Sequence, residues 1–447
     1  MPQAALRELL ASAGIDGEAA ITGADPVLRT PYRVGTAGAA ALAATGIAAA
    51  ELWKLRGGRG QQVSVDLRAA AASLKSSAYL KIDGRSPSAM WDPFSLFYPV
   101  KEGRWVRFHC NYPHHRAAAL GVLGVGADVE AAKRAAGSWD GAALEAAIHA
   151  AGGCAALVRS AEEWAGHPHA AAVAGQPLLE IERVGDGPPV PLPKAERPLS
   201  GVRVLDLTRV LAGPTAAKTL AEHGADVLKI TAAHLPDSGD IDLDTGIGKL
   251  SAQLDLREKN DVEVLRRLAK EADVFSQSCR PGTLAARGFS SEALAKFRPG
   301  IVYVSLSAWG PIGPWKDRRG FDSIVQCVSG MAAAQGGAEA PKLLPCSAID
   351  YVSGYLMAFG AMVALARRAK EGGSWRVRVG LARTGKWIVD RGRVDASAAL
   401  EPEAKTVDTR SPAGLITHLA PVVTLSETPP FWERPPVPLG YHTAEWP

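Results

Sequence analysis

Val202-Arg203-Val204-Leu205-Asp206-Leu207, then Leu211-Ala212-Gly213-Pro214, then Gly224 followed by Ala225-Asp226-Val227-Leu228-Lys229-Ile230: this stretch decides the fold. The two apolar runs predict strands. Between them Pro214 suits the first turn of a helix, and Gly224 ends it. Asp261 to Ala272 reads as an amphipathic helix with Val262, Leu265 and Leu268 on one face, and Val274-Phe275 and Ile301 to Leu306 as further strands. Strands alternating with helices predict an α/β chain built on a doubly wound, Rossmann-like parallel sheet, with ligands at the carboxyl ends of the strands. The glycine spacing is not GxGxxG, so a nicotinamide dinucleotide site is not supported. At Gly213 a phosphate-bearing ligand over the helix start and a plain tight turn are both compatible with the residues.

Outward from that stretch the chain repeats itself. Gly35-Thr36-Ala37 through Gly57-Gly58 aligns without gaps on Ile349-Asp350-Tyr351 through Glu371-Gly372. Gln62-Val63-Ser64-Val65-Asp66-Leu67 then falls on Arg376-Val377-Arg378-Val379-Gly380-Leu381. Each block reads as a long helix, a glycine turn and a strand. Pro188-Pro189-Val190-Pro191-Leu192 recurs as Pro435-Pro436-Val437-Pro438-Leu439. Five segments follow: 1–79, a helix–strand unit joining the α/β core; 80–182, a smaller α+β domain; 183–200, a Pro-rich linker; 201–393, the Rossmann-like domain; and 394–447, a Pro-rich tail. In the smaller domain Glu102-Gly103-Arg104-Trp105 reads as a hairpin, with helices near 141–151 and 160–164; Ser160 with Glu163 forms a capping box.

The chain has 447 residues, with 50 basic against 46 acidic and a hydrophobic share of 47%. No basic block marks a nucleic-acid arm. Five scattered cysteines without a CxxC point to a reducing compartment, and the ten histidines show no metal-ligand spacing. His114-His115 and His167/His169 lie in loop-like sequence and read as solvated. Arg7 and Glu8 at the start leave no apolar signal region. The Ala-rich run from Val34 to Trp53 reads as a buried helix, not a membrane span. A cytoplasmic protein without metal is the expectation.

Asp350 lies in Pro345-Cys346-Ser347-Ala348-Ile349-Asp350-Tyr351, where a long apolar helix begins. Free N–H groups and the helix dipole would keep such a carboxylate ionised and able to act as a nucleophile. The plain alternative is a helix cap. The repeat bears on the choice, since Thr36, itself a capping residue, stands where the second copy has Asp350.

Leu199-Ser200-Gly201 through Thr208, Leu211 to Pro214, Gly224 to Ile230, Gly248-Lys249, Arg280-Pro281-Gly282, Gly310-Pro311 with Gly313-Pro314, and Gly320-Phe321-Asp322 together resemble the N-terminal half of the family III CoA-transferases (CaiB/BaiF type). Gly58-Arg59-Gly60-Gln61 and the tail from Ser426 to Thr443 are similar to later parts of that family. The small domain therefore precedes the α/β half, and one chain holds one set of parts in rearranged order. The resemblance implies that Asp350 is the catalytic aspartate, acylated through a mixed anhydride and an aspartyl-CoA thioester. It implies acyl-CoA and a small carboxylic acid as substrates, with no permanently bound cofactor, and a homodimer as one possible assembly. It places Val210, Lys249, Ser278, Cys279, Arg280 and Arg319 in segments that contact CoA, beside the Gly213 turn. Thr231-Ala232-Ala233 and Gly239-Asp240 depart from the family by lacking its nearby arginines. Two alternatives stand beside transfer. One is a racemase, whose usual histidine is replaced here by Phe321. The other is a catalytically decayed partner subunit.

Overall fold

A computed structural model describes all 447 residues. Its main sheet has seven strands: β1 (Glu180–Gly185), β2 (Arg203–Leu207), β3 (Asp226–Thr231), β4 (Lys249–Gln253), β5 (Val274–Gln277), β6 (Val302–Ser307) and β7 (Ser374–Gly380). Across the sheet they run β4-β3-β2-β5-β6-β7-β1, parallel except for β1, which is antiparallel to β7. The order reverses between β2 and β5, and a doubly wound sheet opens a crevice at such a point.

Side chains alternate between two cores, as a strand's period of two requires. Val204, Val274 and Val302 enter one core, while their successors Leu205, Phe275 and Tyr303 enter the other with Leu265 and Leu268. The first core is filled by three helices: α1 (Val34–Leu55), α2 (Ala212–Glu222) and α3 (Ala348–Glu371). The Ala-rich α1 is buried along almost its whole length, as its small residues predict, and packs against α3. The start of α2 lies so close to α3 that a β-carbon on Gly354 would sit 2.5 Å from the Ala212 carbonyl oxygen.

The expected boundaries shift in two places. The linker taken to begin at 183 starts inside β1. That strand reads as polar because it is an edge, with Glu180 and Glu182 paired across to Arg378 and Arg376. The strand after α1, Val63–Asp66, does not join the main sheet. It pairs with Ala20–Thr22 and with Thr424–Leu425, so the tail returns to the first segment. The tail then follows the outer side of β4: His442 N–H donates to Ser251 O at 2.7 Å, and Gly440 N–H to Ser251 Oγ at 3.1 Å.

The smaller domain holds the expected hairpin, Phe97–Pro99 with Trp105–Phe108, and the Ser160/Glu163 capping box. It has a core of its own around Tyr98, Phe108, Leu144 and Ile148.

Candidate active site

A cleft of about 710 Å³ opens between the smaller domain and the start of α3; Lys75, Trp91, His109, Tyr112, Val210 and Asp350 are among the residues lining it. Asp350 sits in the first turn of α3, 9% exposed. Its carboxyl oxygens have no hydrogen-bond partner in the protein, so it does not cap the helix. Asp322 does: the Asp350 N–H donates to Asp322 Oδ2 at 3.0 Å, and the Ile349 N–H is directed at the same carboxylate. The Gln326 amide donates to Asp322 Oδ1, and Gln326 Oε1 in turn accepts from Leu344 N–H at 2.7 Å.

This arrangement corrects the expected electrostatics. The N–H groups of the helix start are directed to Asp322, and Asp350 receives none of them. Burial, followed by the neighbouring Asp322 charge, raises the Asp350 pKa well above the carboxylate range. Burial also raises Asp322, to about 6, but the donated hydrogen bonds oppose the rise. Of the two buried carboxyls Asp350 is the harder to ionise, because only Asp322 receives donated hydrogen bonds.

The remaining expected residues fall into three places. Val210 lines the cleft at the carboxyl end of β2 with φ +69°. A β-branched residue in the left-handed region is strained, and such strain concentrates at binding sites. Arg280 and Arg319 stand together with Arg209, and all three press on His114: burial first, then these cations, lowers its pKa. The Arg209 guanidinium also lies over the Tyr112 ring at 5.2 Å, and Tyr112 lines the cleft. Ser278 Oγ accepts from Arg209 N–H at 3.1 Å, which fixes the turn after β2 to the turn after β5 at the switch point. Cys279 faces a separate polar hollow with Pro281 and Arg378.

Lys249 and Gly213 have other work. Lys249 is 1% exposed and pairs with Asp206 Oδ2 at 2.9 Å and the Pro214 carbonyl at 2.8 Å, beneath α2. Its charge is matched by Asp206 inside the protein and does not face a ligand. Gly213 lies within α2, where a β-carbon would meet Thr208 at 2.3 Å. Close packing of helix on strand therefore accounts for this glycine.

The histidines depart from expectation too. His115 and His169 are buried within helices Pro113–Leu123 and Pro168–Ala174. His109 lines the cleft, stacked on Phe321 at 3.7 Å, with Nδ1 3.2 Å from Ser323 Oγ. Burial keeps it neutral. Asp322 and Arg209 lie inside the motifs quoted from the sequence, but their roles depend on contacts with distant segments. Lys75, His109 and Tyr112 come from outside the α/β half.

The model of CoA-transferase family III matches residues 10–191 and 199–422, two stretches that meet at the Pro-rich linker. The acetyl-coenzyme A transferase nodX of Hypoxylon pulicicidum is 36% identical over 201 residues, covering 43% of this chain and 34% of that protein. An acyl-CoA transferase of Gibberella moniliformis is 27% identical over 397 residues, 78% of this chain and 69% of that protein. The crystal structure of Rv3272 from Mycobacterium tuberculosis overlaps 44% of this chain and 59% of its own at 30% identity, with a TM-score of 0.41. The chain thus spans about a third of the length of the first of these relatives and about two thirds of the second. With the family model matched along most of its length, the chain belongs to CoA-transferase family III.

Proposed function

We propose that the protein moves coenzyme A from an acyl-CoA to a carboxylic acid, with Asp350 as the covalent carrier. One observation carries this reading. Asp350 presents an unbonded carboxyl group to a cleft, while Asp322 performs the capping that would otherwise explain an aspartate there. Once Asp350 has given up the proton that its raised pKa favours, its carboxylate attacks the thioester carbonyl, the C–S bond breaks, and an acyl-aspartyl anhydride and CoA thiolate result. The thiolate attacks the aspartyl carbonyl of the anhydride and releases the first acid as its carboxylate. An aspartyl-CoA thioester remains. The second acid's carboxylate attacks that thioester, expelling thiolate. The thiolate then takes the new acyl group and restores Asp350. Every intermediate keeps the acyl group activated, so the cycle needs no nucleotide hydrolysis.

Arg209, Arg280 and Arg319, at the carboxyl ends of the strands and linked to the cleft through Tyr112, are suited to the phosphates of CoA. Arg209 supplies charge that the turn at Thr231-Ala232-Ala233 lacks. Hydroxylamine added during turnover tests the covalent role. A hydroxamate found on Asp350 by peptide mass spectrometry supports it, and transfer without any adduct on this residue overturns it.

His109 favours a second reading. Phe321 cannot move a proton, but the neutral imidazole stacked on it shares the cleft with Asp350. That pair could exchange the α-proton of a 2-methylacyl-CoA. Deuterium uptake from heavy water without transfer would select this reading over the first.

A further inference from the structure

Burial, and then the Asp322 charge, raise the Asp350 pKa well above the carboxylate range, so the group that attacks must first shed a proton. The sulfur it displaces leaves as a thiolate in the same cleft, where an unpaired anion is costly. One group able to take the proton from Asp350 and hand it to the sulfur would meet both needs.

His109 is placed for that task. It is the only histidine on the cleft wall and is 5% exposed. Its ring lies 5° from parallel to Phe321, and its Nδ1 is 3.2 Å from Ser323 Oγ. Phe321 and Ser323 flank Asp322, which accepts the Asp350 N–H at 3.0 Å. The imidazole is thus fastened on both sides of the residue that holds the Asp350 turn. With Nδ1–H donating to Ser323, Nε2 keeps its lone pair, and Nε2 has no hydrogen-bond partner in the protein.

The groups around the ring decide how long it holds a proton. Burial, then His115 from helix Pro113–Leu123, then Arg107 from its own strand, all lower its pKa. His115 is itself neutral, lowered to about 3. Arg107 lies against the Trp91 and Phe97 rings at 4.9 and 5.0 Å, with no ion-pair partner to offset its charge. Trp91 closes one side of the imidazole, and Asp92 beside it is paired with Arg116. Cys154, whose carbonyl accepts the His109 N–H, stays a thiol because burial raises its pKa. The acidic groups beside the ring's partners are Asp322 and Asp350. In these surroundings the imidazole passes a proton on and does not store it.

We infer that His109 carries the proton between Asp350 and the sulfur of CoA; this rests on the transfer reading above. As Asp350 attacks the thioester carbonyl, Nε2 takes the carboxyl proton. The C–S bond breaks, and the imidazolium gives that proton to the thiolate. When the thiol attacks the anhydride, Nε2 takes the proton back, and the first acid leaves as its carboxylate. The proton stays on the ring until the second carboxylate expels the sulfur, follows the sulfur again, and returns to Asp350 in the last step.

The test is kcat/KM from about pH 5.5 to 9. The donor is the best of acetyl-, butyryl-, octanoyl- and succinyl-CoA, with propionate as acceptor. The unmodified protein should keep nearly one rate across neutrality, because the proton moves internally. His109→Gln should lose about a hundredfold or more near pH 6 and regain most of it toward pH 9, where Asp350 ionises into solvent. Ser323→Ala, which frees the tautomer, should show the same slope with a loss of about tenfold. A loss that is equal at every pH overturns the assignment and leaves transfer standing. So does a rate in the unmodified protein that itself climbs about tenfold per pH unit through neutrality. Transfer from none of these donors by the unmodified protein overturns the transfer reading, and this role with it.

Discussion

The starts of α1 and α3 solve one problem in the same way and then diverge. Each helix begins with N–H groups that need an acceptor, and each receives a carboxylate from an upstream segment. For α1 it is Asp25, which accepts from Gly35 N–H at 3.2 Å and from Thr36 N–H at 2.8 Å. For α3 it is Asp322, accepting from Asp350 N–H at 3.0 Å. Thr36 and Asp350 are thus equivalent residues, each the third of its helix and the second to aim its N–H at the capping carboxylate, and neither is the cap. At α1 the position is filled by a neutral residue, 2% exposed. At α3 it holds a carboxyl beside another carboxyl, an arrangement that burial and like charge both oppose. A site that retains so unfavourable a group is a functional candidate on physical grounds.

The comparison breaks most visibly at Asp350→Asn, which should reduce transfer at least about a thousandfold while leaving the fold intact. The same variant should be the more thermostable at alkaline pH. The sign follows from linkage: the folded chain raises the Asp350 pKa, so its contribution to stability is full below the unfolded carboxyl value and is lost as pH rises through the folded one. Melting curves at pH 5 and pH 8.5 check this; an advantage confined to the acid side would contradict it. Thr36→Asp recreates the paired carboxyls at α1, where no cleft receives them. It should cost about 3 kcal/mol in urea melts and restore nothing to Asp350→Asn. Asp322→Asn removes the like charge and weakens the cap. Turnover should fall about ten- to a hundredfold through misplacement of Asp350, and the acid limb of the pH–rate profile should move to lower pH. Asp25→Ala is the smallest effect, about 1 kcal/mol of stability with turnover close to that of the unmodified chain.

Much of the sheet was legible because its strands carry their own signature: β2, β3, β5 and β6 are short apolar runs between turn residues. β1 was not legible, since an edge strand matched by cross-strand ion pairs reads as polar linker. The histidines misled because a helix that starts at a proline, as at Pro113 and Pro168, resembles a loop until its partners are known. In the site, Asp350 could be named from a repeat and a resemblance, but its protonation could not. That depends on Asp322, 28 residues away in sequence and adjacent only after folding. Lys249 was misjudged for a related reason: its counter-ion Asp206 is 43 residues distant. The resemblance puts the arginines at 280 and 319 in ligand-contact segments, and the structure sets Arg209 near them, around His114.

The outer side of β4 and the polar register of β1 have a consequence for the protein's behaviour in concentrated solution. An open sheet offers two rows of unpaired backbone groups to any neighbouring strand. Here one row is occupied by the residues around Gly440 to His442, and the other lies on a strand studded with Glu180, Glu182 and Arg183. Shortening the polypeptide before Gly440 would bare a flat template beside Ser251 and invite stacking into insoluble ribbons, whatever became of the chemistry at the far end of the same strands.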